Sequence, residues 1–447
     1  MAGAGMSGLA AAVALQDAGV DVLLVEASGR IGGRVRSHAF PAPHRHAVGE
    51  LGAMRVLEEH TAVQRLLRRA GLAGRRTPFA PMFADPRSLL ATDRGVGAAA
   101  DVLTAPRGPH AGARTLEILL DAVAPRTVAA LARPSDALPA LPAFREAQDL
   151  PSRLVEFLQV CAAALRDSHR DLAVALRELA AEFKPAFTVE GGLSRLPEAL
   201  AGMLDRPPLT GYRLARLTER PKAVTAVCAG TGGRLHVRAS AVVLALPPWL
   251  LPRLVLDGPV RALAVHAASW PPPASARKVL LHLRRPVWQD EGITSGGSAG
   301  GPLLRQVFYS HPSYPRDGCE CAVLTAYATA EDTAPLDLVP AARRPGAVVA
   351  ELARLHPGVD GPGAVLGTAE ADWSRMPFAR GAFDGDWQPT SRTDARTELA
   401  SARCAATSGA PRSGWIEGVI ASGEQAACTV LDALRSPRAA SRRSRPL

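Results

Sequence analysis

Lysine is almost absent. Three of the 52 basic side chains are lysines (Lys184, Lys222 and Lys278), so the formal charge of +10 is carried by arginines. Those arginines are scattered among alanines instead of lining one stripe, which argues against a nucleic-acid footprint. Aromatic residues are scarce as well, at 4%, and offer no sequence-level case for an aromatic substrate pocket. Six cysteines (Cys161, Cys228, Cys319, Cys321, Cys404 and Cys428) are spread without Cys-x-x-Cys spacing, which excludes a zinc ribbon or a disulfide scaffold. Reduced thiols, no bound metal and a cytoplasmic setting are the expectation. No apolar run reaches the length of a membrane span. The apolar stretch Gly8–Val20 lacks a cationic flank and carries Gln16 and Asp17, so it reads as a core helix and not as a signal peptide. A basic run from Arg438 to Arg445, bounded by Pro437 and Pro446, reads as a disordered tail.

What the chain does have is length and apolar content: 447 residues, 47% hydrophobic, enough for a large core in two or three compact units. Gly3-Ala4-Gly5-Met6-Ser7-Gly8 is a G-x-G-x-x-G turn followed by an apolar helix and the β-branched run Val20–Val25, half of a βαβ unit. In such a turn Gly3 permits the tight bend, Gly5 lets a pyrophosphate approach the backbone, and Gly8 allows close helix packing, while the helix N-terminus attracts the anion. Glu26 closes the apolar run 18 positions after Gly8, where a carboxylate can accept hydrogen bonds from both hydroxyls of an adenosine ribose. A glycine pair flanked by arginines follows, Gly29-Arg30-Ile31-Gly32-Gly33-Arg34, and suits a loop that wraps phosphates. A dinucleotide-binding unit also needs a strand ahead of its glycine turn. With Met1 two residues before Gly3, that strand is expected to be missing.

Further along, helical spacing from Arg114 to Lys184 predicts an insertion of several helices, flanked by Gly/Pro/Ala-rich connections at Gly97–Ala113 and Pro134–Pro142. Short strand-like runs then appear at Ala223–Ala229, Leu235–Val237, Ala241–Leu246, Lys278–Leu283 and Cys321–Ala326, with Pro247-Pro248 and Pro271–Pro273 as stops. Apolar spacing from Trp415 to Leu434 predicts one long amphipathic helix. These elements predict an α+β protein: an α/β, Rossmann-like dinucleotide domain, a mixed-sheet domain and a helical insertion.

The run Gly3 to Arg34 resembles the FAD-binding start of the flavin-containing amine oxidase family. Within it, Gly49-Glu50-Leu51-Gly52-Ala53-Met54-Arg55 is similar to the L-amino acid oxidases and tryptophan 2-monooxygenase-like enzymes. Later segments follow in the family's order: Phe187–Leu193 with Leu196-Pro197, Ala241–Pro248, Lys278, Trp288, Arg305–Tyr309, Tyr327, Trp373 with Gly381–Phe383, and Gly414–Gly418 with Ser422-Gly423. The resemblance implies FAD as cofactor, held by Gly3, Gly5, Gly8, Glu26, Arg34, Gly52, Ala53, Met54, Arg55, Leu214, Thr407, Trp415 and Ile416. It implies Lys278, Arg55 and Tyr327 as catalytic residues, with Lys278 managing a water near the flavin. Arg55, Tyr327, Trp373, Gly414 and Trp415 are implied to bind substrate, Arg55 pairing with its carboxylate. The chain departs from the family at Cys404-Ala405-Ala406-Thr407-Ser408, where Phe-Ala-Gly-Glu is usual, so a carboxylate is replaced by Thr407.

The domains implied are FAD-binding at 1–40, 191–265 and 395–436, substrate-binding at 41–95 and 266–394, and helical at 96–190, with 437–447 as the tail. The expected activity is oxidation of an L-amino acid by dioxygen to an imino and then a keto acid, ammonia and hydrogen peroxide. A 2-monooxygenase giving the amide, an amine or polyamine oxidase, and a truncated non-catalytic flavoprotein remain as alternatives. Partners are a small amino acid or amine and dioxygen, with neither nucleic acid nor membrane. The resemblance also implies a homodimer.

Overall fold

A computed structural model of the chain describes residues 1–41, 47–85, 87–92, 95–98, 184–270, 272–301, 303–310, 320–383, 400–407 and 414–435. The predicted helices between 114 and 184, their flanking connections and the basic tail lie outside these residues.

The first helix, Met6–Asp17, buries nine of its twelve residues, among them Met6 to Val13 without a break. A helix that is apolar all round belongs inside a domain, covered on every side. On one side it meets the last helix, Ile416–Arg435. The two backbones touch where Gly423 faces Ser7: a side-chain carbon at 423 would lie 2.1 Å from the Ser7 carbonyl oxygen. Against them lies the parallel pair Val242–Leu244 and Cys404–Ala406. Parallel bridges extend this array from Leu244 to Ala2, from Ala2 to Val25 and from Val25 to Leu209.

Those bridges correct the expectation that the strand before the glycine turn is missing. Met1 to Gly3 lie between Val25 and Leu244 and make ladder hydrogen bonds to both sides: Ala2 N–H to Val243 at 3.0 Å and Gly3 N–H to Val25 at 2.8 Å. The central position is filled at the carboxyl end of the sheet, where a ligand crevice forms. In the run Val20–Val25 the bridge residue is Val25, and the Leu23 and Leu24 carbonyls accept the Met1 and Leu209 nitrogens at 2.6 and 2.8 Å.

The five predicted strand-like runs lie within three residues of observed strands, and the sequence did not mark the other strands. Tyr212–Glu219, Val224–Gly230 and Gly233–Ala239 form an antiparallel meander, with Val255–Asp257 parallel to its first strand. A seven-stranded mixed sheet runs in the order Val365–Asp372, Ala276–Leu283, Ala322–Thr329, Gln306–Tyr309, Gly297–Ala299, Leu89–Thr92, Gly95–Ala98. All eight residues of Ala276–Leu283 are buried, as befits a strand covered on both faces. One face packs on the helix Arg344–Leu355 through Leu281, Leu324, Leu352 and Leu355. Val56–Leu57, Ala186–Val189 and Arg76–Phe79 make a third, three-stranded sheet. The architecture is α+β, as the sequence predicts.

At the edge of the large sheet Asp85 is held by four donors, the Arg87 amide and guanidinium and the Thr294 amide and hydroxyl, at 2.9 to 3.2 Å. Burial opposes ionisation of this carboxyl, but the four donors outweigh it and hold its pKa down to about 2. A depressed folded-state pKa stabilises the fold above the unfolded value near 4 and ceases to do so as pH falls toward 2. The expected contribution is about 2 kcal/mol. Urea unfolding of wild type and Asp85→Asn at pH 7 and pH 3 checks it: the gap between the two proteins should narrow at pH 3.

Candidate active site

The glycine turn is the first wall of the site. Gly3 has φ +99°, and a side-chain carbon there would sit 2.3 Å from the Ala245 carbonyl oxygen, so only glycine fits. Gly8 is excluded from carrying a side chain by the Gly3 carbonyl at 1.9 Å. Gly5 precedes the helix and leaves its N-terminus without a side-chain cap, and a side-chain carbon there would lie 3.8 Å from the Gly33 backbone. Glu26 lies directly behind: one carboxylate oxygen accepts the Ala4 amide at 2.8 Å, the other the Ser28 amide and hydroxyl, both at 2.8 Å. The group is buried, and the oxygen that accepts from Ala4 keeps a lone pair for a further donor.

Arg30 braces the glycine loop from within. Its guanidinium donates to three carbonyls of its own segment, Gly33 at 2.5 Å, Ile31 at 3.1 Å and Val35 at 3.2 Å, and so ties the glycine pair into shape. Arg34 reaches across to the Ala382 carbonyl at 2.6 Å and lies over the Trp249 ring at 5.5 Å, linking the cofactor side of the molecule to the substrate side. Thr407, buried at the end of its strand, shares a 3.1 Å hydrogen bond with Ser7 of the first helix. A pair of hydroxyls therefore joins the end of this strand to the start of the first helix. Leu214 is buried in the strand that starts beside Glu26, whose carbonyl accepts the Tyr212 amide at 2.9 Å.

The second wall is the strap Gly49–Arg55. Gly52 allows it to lie against the residues after the glycine pair: a side-chain carbon at 52 would be 2.1 Å from the Arg34 carbonyl. The amides of Leu51 and Gly52 bond the Arg36 carbonyl, and the Ala53 amide bonds that of Arg34. Met54 and Arg55 are buried at the strap's end. The Arg55 guanidinium lies 5.4 Å from the Trp415 ring, 5.8 Å from Phe79 and 5.9 Å from Phe308, an aromatic enclosure of low polarity.

Strand register brings the other candidates to the same place. Lys278 pairs with Tyr327, which pairs in turn with Gln306, so these three lie in one row across the sheet and present their side chains on one face. Phe308, two residues beyond Gln306, shares that face. The buried Lys278 ammonium donates to the Gly52 carbonyl at 2.5 Å and stands 4.8 Å over the Tyr327 ring. The Trp373 indole donates to the Leu51 carbonyl at 2.8 Å, and Tyr327, Trp373 and Phe383 pack in one cluster. Gly414 faces Phe383, and Trp415 opens the last helix, with its ring edge-on to His60 at 5.2 Å.

Sequence reasoning did not single out Phe79, His60 or Glu417. Glu417 accepts the Ala62 and Val63 amides, both at 3.0 Å, so it caps the helix Thr61–Arg69 and binds the end of the chain to the residues after Arg55. No local motif marks Phe79 or His60: sheet register places Phe79, and His60 stands at the N-cap of the helix Thr61–Arg69, where its ring accepts the Leu57 amide at 3.2 Å.

A glycine turn closed to side chains, a buried ribose-type carboxylate and an uncapped helix N-terminus fit a flavin dinucleotide, and residues 6–431 match the family described as flavin containing amine oxidoreductase. The chain belongs to that family. The family's flavin, FAD, is therefore its cofactor, and the protein is an oxidoreductase. The flavin-dependent L-tryptophan oxidase RebO of Lentzea aerocolonigenes is 27% identical over 461 residues, spanning 94% of this chain and 95% of that protein. An L-amino-acid oxidase of Siganus canaliculatus is 25% identical over 407 residues, 85% and 74% of the two chains. Among solved structures, a putrescine oxidase superposes with a TM-score of 0.74 at 21% identity, covering 96% of this chain and 98% of that one. Cyclohexylamine oxidase from Brevibacterium oxydans IH-35A gives 0.71 at 21% identity, with 97% and 98% covered. These two share the family fold. Among the described residues no helix is long and apolar enough to cross a membrane.

Replacement of Glu26 by alanine removes the charged acceptor offered to the ribose. Hydrogen bonds to a charged acceptor contribute about 1.5–3 kcal/mol, so FAD affinity is expected to fall by roughly 10- to 100-fold. Titration of the apoprotein with FAD, followed by flavin fluorescence, reads this directly; unchanged affinity would remove Glu26 from the cofactor site.

Proposed function

We propose that this flavoprotein oxidises the Cα–N bond of an L-amino acid, with Arg55 as the carboxylate receptor. The observation that carries this reading is the placement of a buried guanidinium, enclosed by Phe79, Phe308 and Trp415, beside the sheet face that bears Lys278 and Tyr327. A guanidinium in such surroundings binds a carboxylate through two parallel hydrogen bonds, far more strongly than it would in water. The activities named for the two sequence relatives agree with an amino-acid substrate.

In this reading residues 1–40, 191–265 and 395–436 hold FAD, and residues 41–95 and 266–394 form the substrate side. Arg55 and the Tyr327 hydroxyl fix the two carboxylate oxygens, and Gly414, Trp415 and Trp373 bound the amine. Lys278 holds a water, and through it a proton, at the reacting nitrogen. Orientation is the protein's main contribution, because a carboxylate held at two points leaves one Cα–H direction toward the cofactor. The bound flavin supplies the redox chemistry, accepting the hydride and passing two electrons to dioxygen to give hydrogen peroxide. The amine gives up a proton as the imino acid forms, and water then converts it to a keto acid and ammonia.

Anaerobic addition of single L-amino acids to the yellow holoprotein tests the reading, each compared with the amine that lacks only the carboxylate. Bleaching by one or more amino acids, with the matched amine slower by on the order of 100-fold, is expected. Amines that bleach the flavin as fast as amino acids would refute it. The product then separates an oxidase, which releases keto acid and peroxide, from a monooxygenase, which releases the amide.

A further inference from the structure

The helix Thr61–Arg69 begins without a cap of its own. The His60 ring accepts the Leu57 amide instead of an amide of the helix, and the first turn holds no acidic residue. The Ala62 and Val63 amides, the pair that an N-cap side chain ordinarily satisfies, are met by Glu417 from 355 and 354 residues away, at 3.0 Å each and one to each carboxylate oxygen. The Thr61 hydroxyl adds a longer bond at 3.4 Å. The two helices also pack Val63, Leu66 and Leu67 in one core cluster with Ile416 and Ile420, and pair Arg65 with Glu424 at 2.5 Å on the exposed side. Apolar contact is non-directional, whereas bonds to two consecutive amides fix how the helix starts meet. Those starts adjoin the Arg55 enclosure. Trp415 immediately precedes the last helix and its carbonyl accepts the Val419 amide at 3.2 Å. Its ring meets His60 at 5.2 Å and the Arg55 guanidinium at 5.4 Å. Arg55 leads to His60 through the short strand Val56–Leu57.

We infer that Glu417 is a positioning residue for carboxylate recognition: by capping the helix Thr61–Arg69 from the last helix, it holds the Trp415 ring against His60 and Arg55. This role rests on the reading of Arg55 as the carboxylate receptor. Without the clamp the Trp415 ring loses its fixed place beside the guanidinium. The enclosure then admits water on that side, and the attraction between Arg55 and a carboxylate weakens. A substrate without a carboxylate makes no use of the guanidinium and loses less.

Two quantities test this on the holoprotein. One is the ratio of kcat/KM for the best L-amino acid to that for its matched amine, taken per bound FAD. The other is the Kd of the corresponding keto acid, read from the change it causes in flavin absorbance. In Glu417→Ala the ratio should fall, and the keto acid should bind more weakly, by about fivefold, the typical cost of losing a helix N-cap. Glu417→Gln keeps one oxygen acceptor but turns an amide N–H toward the second helix amide, so both effects should be smaller, about twofold. It also carries the test where Glu417→Ala does not retain FAD. Arg65→Ala cuts the exposed ion pair between the same two helices and should leave both quantities unchanged. Arg55→Met reports on the receptor itself. A ratio that collapses in Arg55→Met but holds in the Glu417 variants overturns the role of Glu417 alone. So does an equal loss on amine and amino acid in the Glu417 variants, or an Arg65→Ala effect as large as that of Glu417→Ala. A ratio that survives Arg55→Met removes the receptor and the role of Glu417 with it.

Discussion

Replacing Arg55 with methionine should lower kcat/KM for the best L-amino acid by on the order of 100- to 1,000-fold, the range for truncating one partner of a buried hydrogen-bonded charge pair. Methionine keeps apolar volume among Phe79, Phe308 and Trp415, so the enclosure around the lost guanidinium is retained. What disappears is a charge in surroundings from which water is largely excluded, where an ion pair is strong. The loss should appear in both constants. KM rises because the carboxylate is bound less well, and kcat falls because a substrate held at one point no longer presents its Cα–H correctly. Oxidation of the matched amine should be unchanged or faster in the variant. Steady-state kinetics on one amino acid and its amine checks this, and equal losses on the two substrates would show that Arg55 supports the fold instead of reading the carboxylate.

The largest expected loss of stability is at Arg277, next to Lys278 on the same strand and directed to the other face of the sheet. Its side chain is 1% exposed and meets Asp337 at 2.5 Å, Asp372 at closer range and Glu370 at 3.5 Å. Arg344 joins Glu370 at 3.1 Å, and Arg375 joins Asp337 and Asp372 at 3.3 Å, so five elements of charge meet around one buried guanidinium. Burial alone would lower the pKa of Arg277, but Asp372 and Asp337 more than reverse that and raise it. Arg277→Met leaves three carboxylates facing an apolar stem, and a buried pair broken from one side costs about 3–5 kcal/mol. Urea unfolding at pH 7 measures the effect. A cost below about 1 kcal/mol would place the cluster among surface ion pairs, which contribute little.

Much of the nucleotide half of this protein is legible along the chain. Gly3, Gly5 and Gly8 sit in a local pattern whose meaning is set by sterics within one turn, and Glu26 is reached by counting along a single helix and run. The last helix and five strands, at Val224–Gly230, Gly233–Ala239, Val242–Leu244, Ala276–Leu283 and Ala322–Thr329, follow from apolar and β-branched runs along the chain. The pairing of the Val20–Val25 run and the filling of the central position by Met1–Gly3 were not legible. Both depend on which backbones lie alongside, and hydrogen-bond partners in a parallel sheet are distant in sequence. Arg30 illustrates the same limit: spacing marked its loop, but the carbonyls of Ile31, Gly33 and Val35 that it binds could not be read from the sequence.

By itself the sequence determined the family, the cofactor class and the identity of the residues on the strap, because these rest on short patterns in which backbone freedom and side-chain chemistry are local. Only the tertiary structure decided that Lys278, Tyr327 and Phe308 share one face, that three aromatic rings enclose Arg55, and that Glu417 caps the helix Thr61–Arg69. Those facts depend on strand register and on contacts between segments as much as 360 residues apart, such as Arg55 against Trp415. Register is set by the packing of whole sheets, and no window of residues along the chain contains it.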